Sequence, residues 1–113
     1  MASVKGISHA FDEYPVMVYH SNMHLNELAK KIRTVGDESR LRILCVIFAE
    51  KKICVSDIAG KLGMSVAIVS HHLRAMQDEG LLVPFRDGKH VCYEISDESF
   101  MEDLKGFICK YNA

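Results

Sequence analysis

The stretch Ser65–Leu82, SVAIVSHHLRAMQDEGLL, decides the fold. Stepped at about 100° per residue, residues 66–77 place Val69, His72, Leu73 and Met76 on one side of a helix. Ala67, Ser70, His71 and Arg74 fall on the other. The first set is a core stripe; the second is short-chained and polar and ends in a guanidinium. The adjacent histidines His71 and His72 therefore point in different directions and do not form one metal or catalytic site. His72 reads as a hydrogen-bonded histidine at the edge of the core. Ser65 is placed to cap this helix and Gly80 to end it.

Working outward, the preceding segment Ser56–Gly63 carries Ile58, Ala59 and Leu62 at helical spacing, and only Gly63 and Met64 separate it from Ser65. Two short helices joined by a tight glycine-containing turn are a helix-turn-helix pattern. Upstream, Leu25, Leu28, Ile32 and Val35 define a helix that stops at Gly36. Asp37 caps the next one, with Leu41, Leu44, Cys45 and Phe48 on one face, ending at Lys51-Lys52 before a short extended piece, Ile53–Val55. Beyond Gly80 the period drops to two: Val83 and Phe85 alternate on one strand, and Val91, Tyr93 and Ile95 on the next. The intervening RDGKH centres a two-residue hairpin turn on Asp87-Gly88. Ser96 or Asp97 caps a final helix bearing Phe100, Leu104, Phe107 and Ile108. The expected fold is mainly α with a small β-hairpin wing, a winged helix-turn-helix in the order α-α-α-α-β-β-α. Residues 1–22 form an N-terminal arm and residues 23–113 the winged helix-turn-helix domain.

The chain has 113 residues, 49% hydrophobic and 26% charged, enough for one small soluble domain and no second lobe. Its longest apolar run, Ile43–Ala49, is too short to span a bilayer, and no secretory signal is visible, so a cytoplasmic protein without a membrane partner is expected. The formal charge of −1 excludes an indiscriminate nucleic-acid coat, but its distribution is uneven. Residues 30–52 hold seven Lys/Arg against three acids, while residues 91–113 hold five acids against two lysines. Such a chain can present one positive face. It shows no HExxH, glycine-rich phosphate loop or paired carboxylates on one face, and a catalytic role is not expected.

The outer face of the quoted helix fits a major groove. Ala67 permits close approach, Ser70 and His71 can hydrogen-bond to base edges or phosphates, and Arg74 can reach guanine or a phosphate. The hairpin tip adds Arg86, Lys89 and His90, suited to backbone or minor groove. With Ser65 at the helix start, these residues make up the expected double-stranded DNA interface. A winged helix used only for protein–protein contact is the competing function; Arg74, Arg86 and Lys89 count against it.

The residues GDESRLRIL (Gly36–Leu44), ICVSDIAGKLGMS (Ile53–Ser65), VSHHLRAM (Val69–Met76) and GLL…RDGKHVCYEI (Gly80–Ile95) resemble those of the ArsR/SmtB family of winged-helix transcriptional repressors. The resemblance covers residues 23–96 almost continuously. It implies a homodimer joined by first and last helices, bound to an inverted-repeat operator and released when an inducer is sensed. The stripes Leu25/Leu28/Ile32 and Phe100/Leu104/Phe107, too extensive for so small a core to cover, fit that dimer.

For the inducer, the four cysteines are expected to be reduced thiols rather than structural bridges. The resemblance offers three sites. A thiolate metal site needs Cys-Val-Cys-Asp, whereas this chain reads CVSD, with Ser56 at the second position; Cys54 with His20 and His24 of the arm is a candidate set for zinc or another soft metal. A terminal-helix zinc site matches only at Asp97, the other positions falling on Ser99, Lys110 and Ala113. The branch that senses sulfide, persulfide or oxidants has a cysteine where Cys45 stands, and Cys109 is the candidate second. No cofactor is firmly implied. Cys92 alternates away from Tyr93 to lie beside Glu94 on the wing's outer face, and has no role assigned.

Overall fold

A computed structural model describes residues 22–112, with side chains from His24 onward. These residues divide between two compact units that meet between Lys30 and Lys31. The helix α1, Asn22–Val35, carries the chain from one to the other. The second unit continues with α2 (Glu38–Glu50), β1 (Lys52–Cys54), α3 (Val55–Leu62), α4 (Val66–Asp78), β2 (Leu82–Asp87), β3 (His90–Ile95) and α5 (Ser99–Tyr111). The architecture is a winged helix-turn-helix. Among the described residues no helix is long and apolar enough to cross a membrane.

The caps that start two helices are those the residue types favour. Asp37 Oδ2 accepts from the Arg40 N–H at 3.0 Å and starts α2. Ser65 Oγ accepts from the Ile68 N–H at 3.1 Å and starts α4. Between α3 and α4, Gly63 adopts φ 66°, and the Met64 N–H returns to the Ala59 carbonyl at 3.0 Å, which closes α3 and turns the chain into α4. The last helix departs from expectation. Its cap position is Glu98, and Ser96 Oγ instead accepts from the Glu98 N–H just ahead of it.

Three further departures have physical causes. On α2 the fully buried side chains are Ile43, Leu44 and Ile47, while Leu41, Cys45 and Phe48 are half-buried along the flank. This helix is apolar around most of its circumference, so spacing alone does not say which stripe faces inward. The extended piece after α2 is a strand: β1 pairs antiparallel with β3, giving a three-stranded sheet in the order β1-β3-β2. Three residues are too few to show alternation. The hairpin turn lies on Gly88-Lys89, one residue later than expected, because Asp87 pairs with His90 and Val83 with Glu94. Gly88 takes φ 63° at the first central position, where a two-residue turn of the primed class with glycine first requires it.

The core lies among α2, α3, α4 and the inner face of the sheet, with Ile43, Leu44, Ile47, Ile58, Val69, Leu73, Met76 and Leu81 fully enclosed. Each such aliphatic contributes roughly 1.5–3 kcal/mol relative to exposure. The wing is pinned to α4 by the Tyr93 hydroxyl, which donates to Gln77 Oε1 at 3.0 Å.

Candidate nucleic-acid interface

Because Val69, Leu73 and Met76 anchor α4 with no exposed surface, the opposite side of the helix must face outward. There Ala67, Ser70, His71 and Arg74 line one shallow concavity with Ala75 and Asp78. Ala67, His71 and Arg74 are exposed and Ser70 half-exposed; Ser65, also exposed, engages its oxygen in the helix cap. Two neighbours went unnoticed in the sequence. Val66 and Ile68 are 51% and 52% exposed in the first turn of α4. Apolar side chains there can contact thymine methyl groups. Their signal was available: both lie off the Val69/Leu73/Met76 stripe.

At the wing, Arg86, Lys89 and His90 are all exposed around the Gly88-Lys89 turn. The two basic ends of the pairs Arg86↔Val91 and Asp87↔His90 thus sit at the tip of a ribbon stiffened by β1 on its other side.

His72 takes no part in this surface. Its Nδ1 accepts from Arg40 Nε at 2.9 Å, and Arg40 Nη1 donates to the Thr34 carbonyl at 3.0 Å. Burial, and next the Arg40 charge, lower the His72 pKa, so the neutral imidazole is the form that ties α4 to α2 and to the end of α1.

The cysteines fall into two groups. Cys45 and Cys109 are free thiols, the first half-buried and the second exposed. Cys45 lines an apolar groove with Ile32, Leu41, Phe100, Leu104 and Phe107; Cys109 is not among the groove's lining residues. Cys54 and Cys92 are bonded to each other as a disulfide, which corrects the expectation of four reduced thiols. Cys92 is also fully buried rather than on an outer face. The alternation itself holds, but β3 is the central strand, and Cys92 is flanked by Cys54 on β1 and Phe85 on β2.

The family model for bacterial regulatory proteins of the arsR family matches residues 37–83, the segment from the cap of α2 through α3 and α4 into β2. Over this segment the chain carries the helix-turn-helix of the arsR family. It is 35% identical over 72 residues to a cadmium resistance transcriptional regulatory protein CadC homolog of Staphylococcus aureus, over 64% of this chain and 60% of that relative. The chain thus spans about three-fifths of the length of that curated relative. The transcriptional repressor PagR of Bacillus anthracis is similar in structure, with TM-score 0.67 and 26% identity, covering 76% of this chain and 98% of PagR. So is a homodimeric winged helix-turn-helix DNA-binding domain of Mycobacterium bovis, with TM-score 0.68 and 25% identity, over 78% of this chain and 80% of that one.

Of the candidate soft-metal set, only Cys54 and His24 lie among the described residues. Cys54 is in the disulfide and offers no thiolate in this state. His24 is exposed on α1, and His20 lies outside the described residues. Among the described residues no three His, Cys, Asp or Glu are grouped to hold a metal ion.

Proposed function

We propose that this chain is a DNA-binding transcriptional repressor of the ArsR/SmtB family that docks as a homodimer on an inverted-repeat operator and releases it through cysteine chemistry. The observation that carries the reading is the outward face of α4, where Ala67, Ser70, His71 and Arg74 stand clear of the core beside the Arg86/Lys89/His90 wing. Helix and wing supply base-edge and phosphate donors together. Dimerisation is supported by Ile32, Phe107 and Tyr111, which are 52%, 61% and 69% exposed and line one apolar groove. Contiguous apolar surface of that kind on a small domain marks an interaction site. The sensor thiols of this proposal are Cys45, which lines the same groove, and Cys109, exposed on α5. Oxidation or persulfidation of Cys45 would act on the groove offered here as the dimer surface, which would set the spacing of the two α4 helices.

A soft-metal inducer is the second reading. The cadmium-resistance name of the S. aureus relative favours it, and the bond that occupies Cys54 weighs against it.

The test is selection of duplexes from a random pool by the purified chain, followed by binding with and without polysulfide. Enrichment of an inverted repeat with half-sites about 34 Å apart is expected. Release on polysulfide should be lost in Cys45→Ser or Cys109→Ser. No enrichment, with no salt-dependent DNA binding, would overturn the repressor reading; release unchanged in both variants would overturn the thiol assignment.

A further inference from the structure

Cys54 and Cys92 lie 38 residues apart in sequence and opposite each other in the β1·β3 register. Both residues border an open cleft of about 700 Å³, lined also by Ser56, Asp57, Lys61 and Phe85. A cleft of that size admits a peptide-sized thiol. The two sulfurs are not equally reachable: Cys54 is part-exposed and Cys92 has no exposed surface. Cys54 is also the cap residue of α3, and it makes no side-chain capping hydrogen bond while bonded to Cys92.

We infer that Cys54–Cys92 is a reversible thiol–disulfide exchange site for low-molecular-weight thiols, entered through Cys54 and distinct from Cys45 and Cys109. An incoming thiolate attacks Cys54 Sγ. The Cys54–Cys92 bond breaks, its electron pair stays on Cys92 Sγ, and that sulfur takes a proton from water. A second thiolate attacks the mixed disulfide at the small molecule's sulfur and releases Cys54. Two small thiols are oxidised to their disulfide and the protein bond is reduced to two thiols; excess small-molecule disulfide drives the reverse. Once released, Cys54 Sγ stands at the α3 N-terminus, where first-turn N–H groups without a side-chain acceptor gain one.

The site touches both halves of the DNA surface. α3 begins at Val55, directly after Cys54, and packs on α4. Cys92 pairs with Phe85, one step from the Arg86↔Val91 pair of the wing. The bond therefore ties the helix-turn-helix to the wing, and its loss leaves the wing freer, so docking must order it at the cost of affinity. This last consequence rests on the repressor reading; the exchange chemistry does not.

The experiment uses the full chain carrying Cys45→Ser and Cys109→Ser, equilibrated in glutathione buffers of varied reduced-to-oxidised ratio. Thiols are counted and intact masses measured on the native protein. One bond is expected in oxidised buffer and two thiols in reduced buffer, interconverting without unfolding. In the same background, adding Cys92→Ser should allow a glutathione adduct on Cys54, whereas adding Cys54→Ser should leave Cys92 unmodified until denaturant is added. A bond that never forms, one that resists millimolar reduced glutathione until the protein unfolds, or an adduct on native Cys92 would each overturn the site. Affinity for the selected duplex should fall about threefold to tenfold on reduction. Equal affinity in both states, with exchange intact, would overturn the coupling alone, and absent DNA binding with exchange intact would overturn the repressor reading instead.

Discussion

Replacing Arg40 by Met tests the polar link that orients α4. The side chain donates from Nε to His72 Nδ1 at 2.9 Å and from Nη1 to the Thr34 carbonyl at 3.0 Å, in a half-buried setting. Hydrogen bonds from a charged donor contribute roughly 1.5–3 kcal/mol each when enclosed, and partial exposure brings each to about 1 kcal/mol. Methionine keeps the packing of the aliphatic stem, and the main-chain bond from Arg40 to Asp37 is untouched. The expected loss is therefore about 2 kcal/mol, or a fall in Tm of roughly 8–16 °C for a domain of this size. The pH dependence sharpens the test. His72 has its pKa lowered below 6.5 by burial and then by Arg40, so in the acid range the unfolded chain binds the proton more readily than the native one. Its contribution is complete above the unfolded pKa and is lost as pH falls from there through the folded value. Arg40→Met removes one cause of that lowering, so the variant should lose less on acidification. The gap between parent and variant should narrow from pH 7.5 to 5.5. Urea unfolding followed by circular dichroism, at one fixed protein concentration, measures both quantities. A loss below about 0.5 kcal/mol at pH 7.5, or a gap that widens in acid, would refute the account of His72 as a neutral acceptor.

Lys89→Ala and Arg86→Ala should each weaken specific and random DNA binding alike and reduce the salt slope by about 0.9 per lost phosphate contact, read from anisotropy titrations at several salt concentrations. His71→Ala should chiefly narrow the ratio between selected and random duplex; an unchanged ratio would remove His71 from base readout. Ser65→Ala removes the oxygen that accepts from the Ile68 N–H and should cost about 1 kcal/mol in chemical unfolding. Phe107→Glu changes a side chain that is 61% exposed, so the helix content should hold while sedimentation at micromolar concentration shifts from dimer to monomer; a persisting dimer would place the interface elsewhere.

Most of the helical framework was legible because its signals are local. The stripe Val69/Leu73/Met76, the caps Asp37 and Ser65, and the glycine at position 63 act within a few residues of themselves, and each has the expected place in the structure. The outward placement of Ala67, His71 and Arg74 followed from the same stripe, since burying one side of a helix leaves the other outside. Where local signals ran out, expectation and structure parted. On α2, apolar residues nearly all round left the inward stripe open until α3, α4 and the sheet had been packed against it. In RDGKH, two adjacent pairs could serve as the turn, and the choice came from the pairing of Leu82 with Ile95 and Val83 with Glu94 far from the tip.

Sequence by itself determined the helices, the helix-turn-helix and the outward placement of Ala67, His71 and Arg74, because period and capping are properties of neighbouring residues. Only the tertiary structure decided what Cys54 and Cys92 are. Alternation correctly set Cys92 on the opposite side of β3 from Tyr93, but it carries no information on whether that side is covered. Four cysteines allow three full pairings, and nothing local joins two residues 38 apart. β1 supplied the answer by pairing with the free edge of β3, because a strand's burial depends on which chain segments dock beside it.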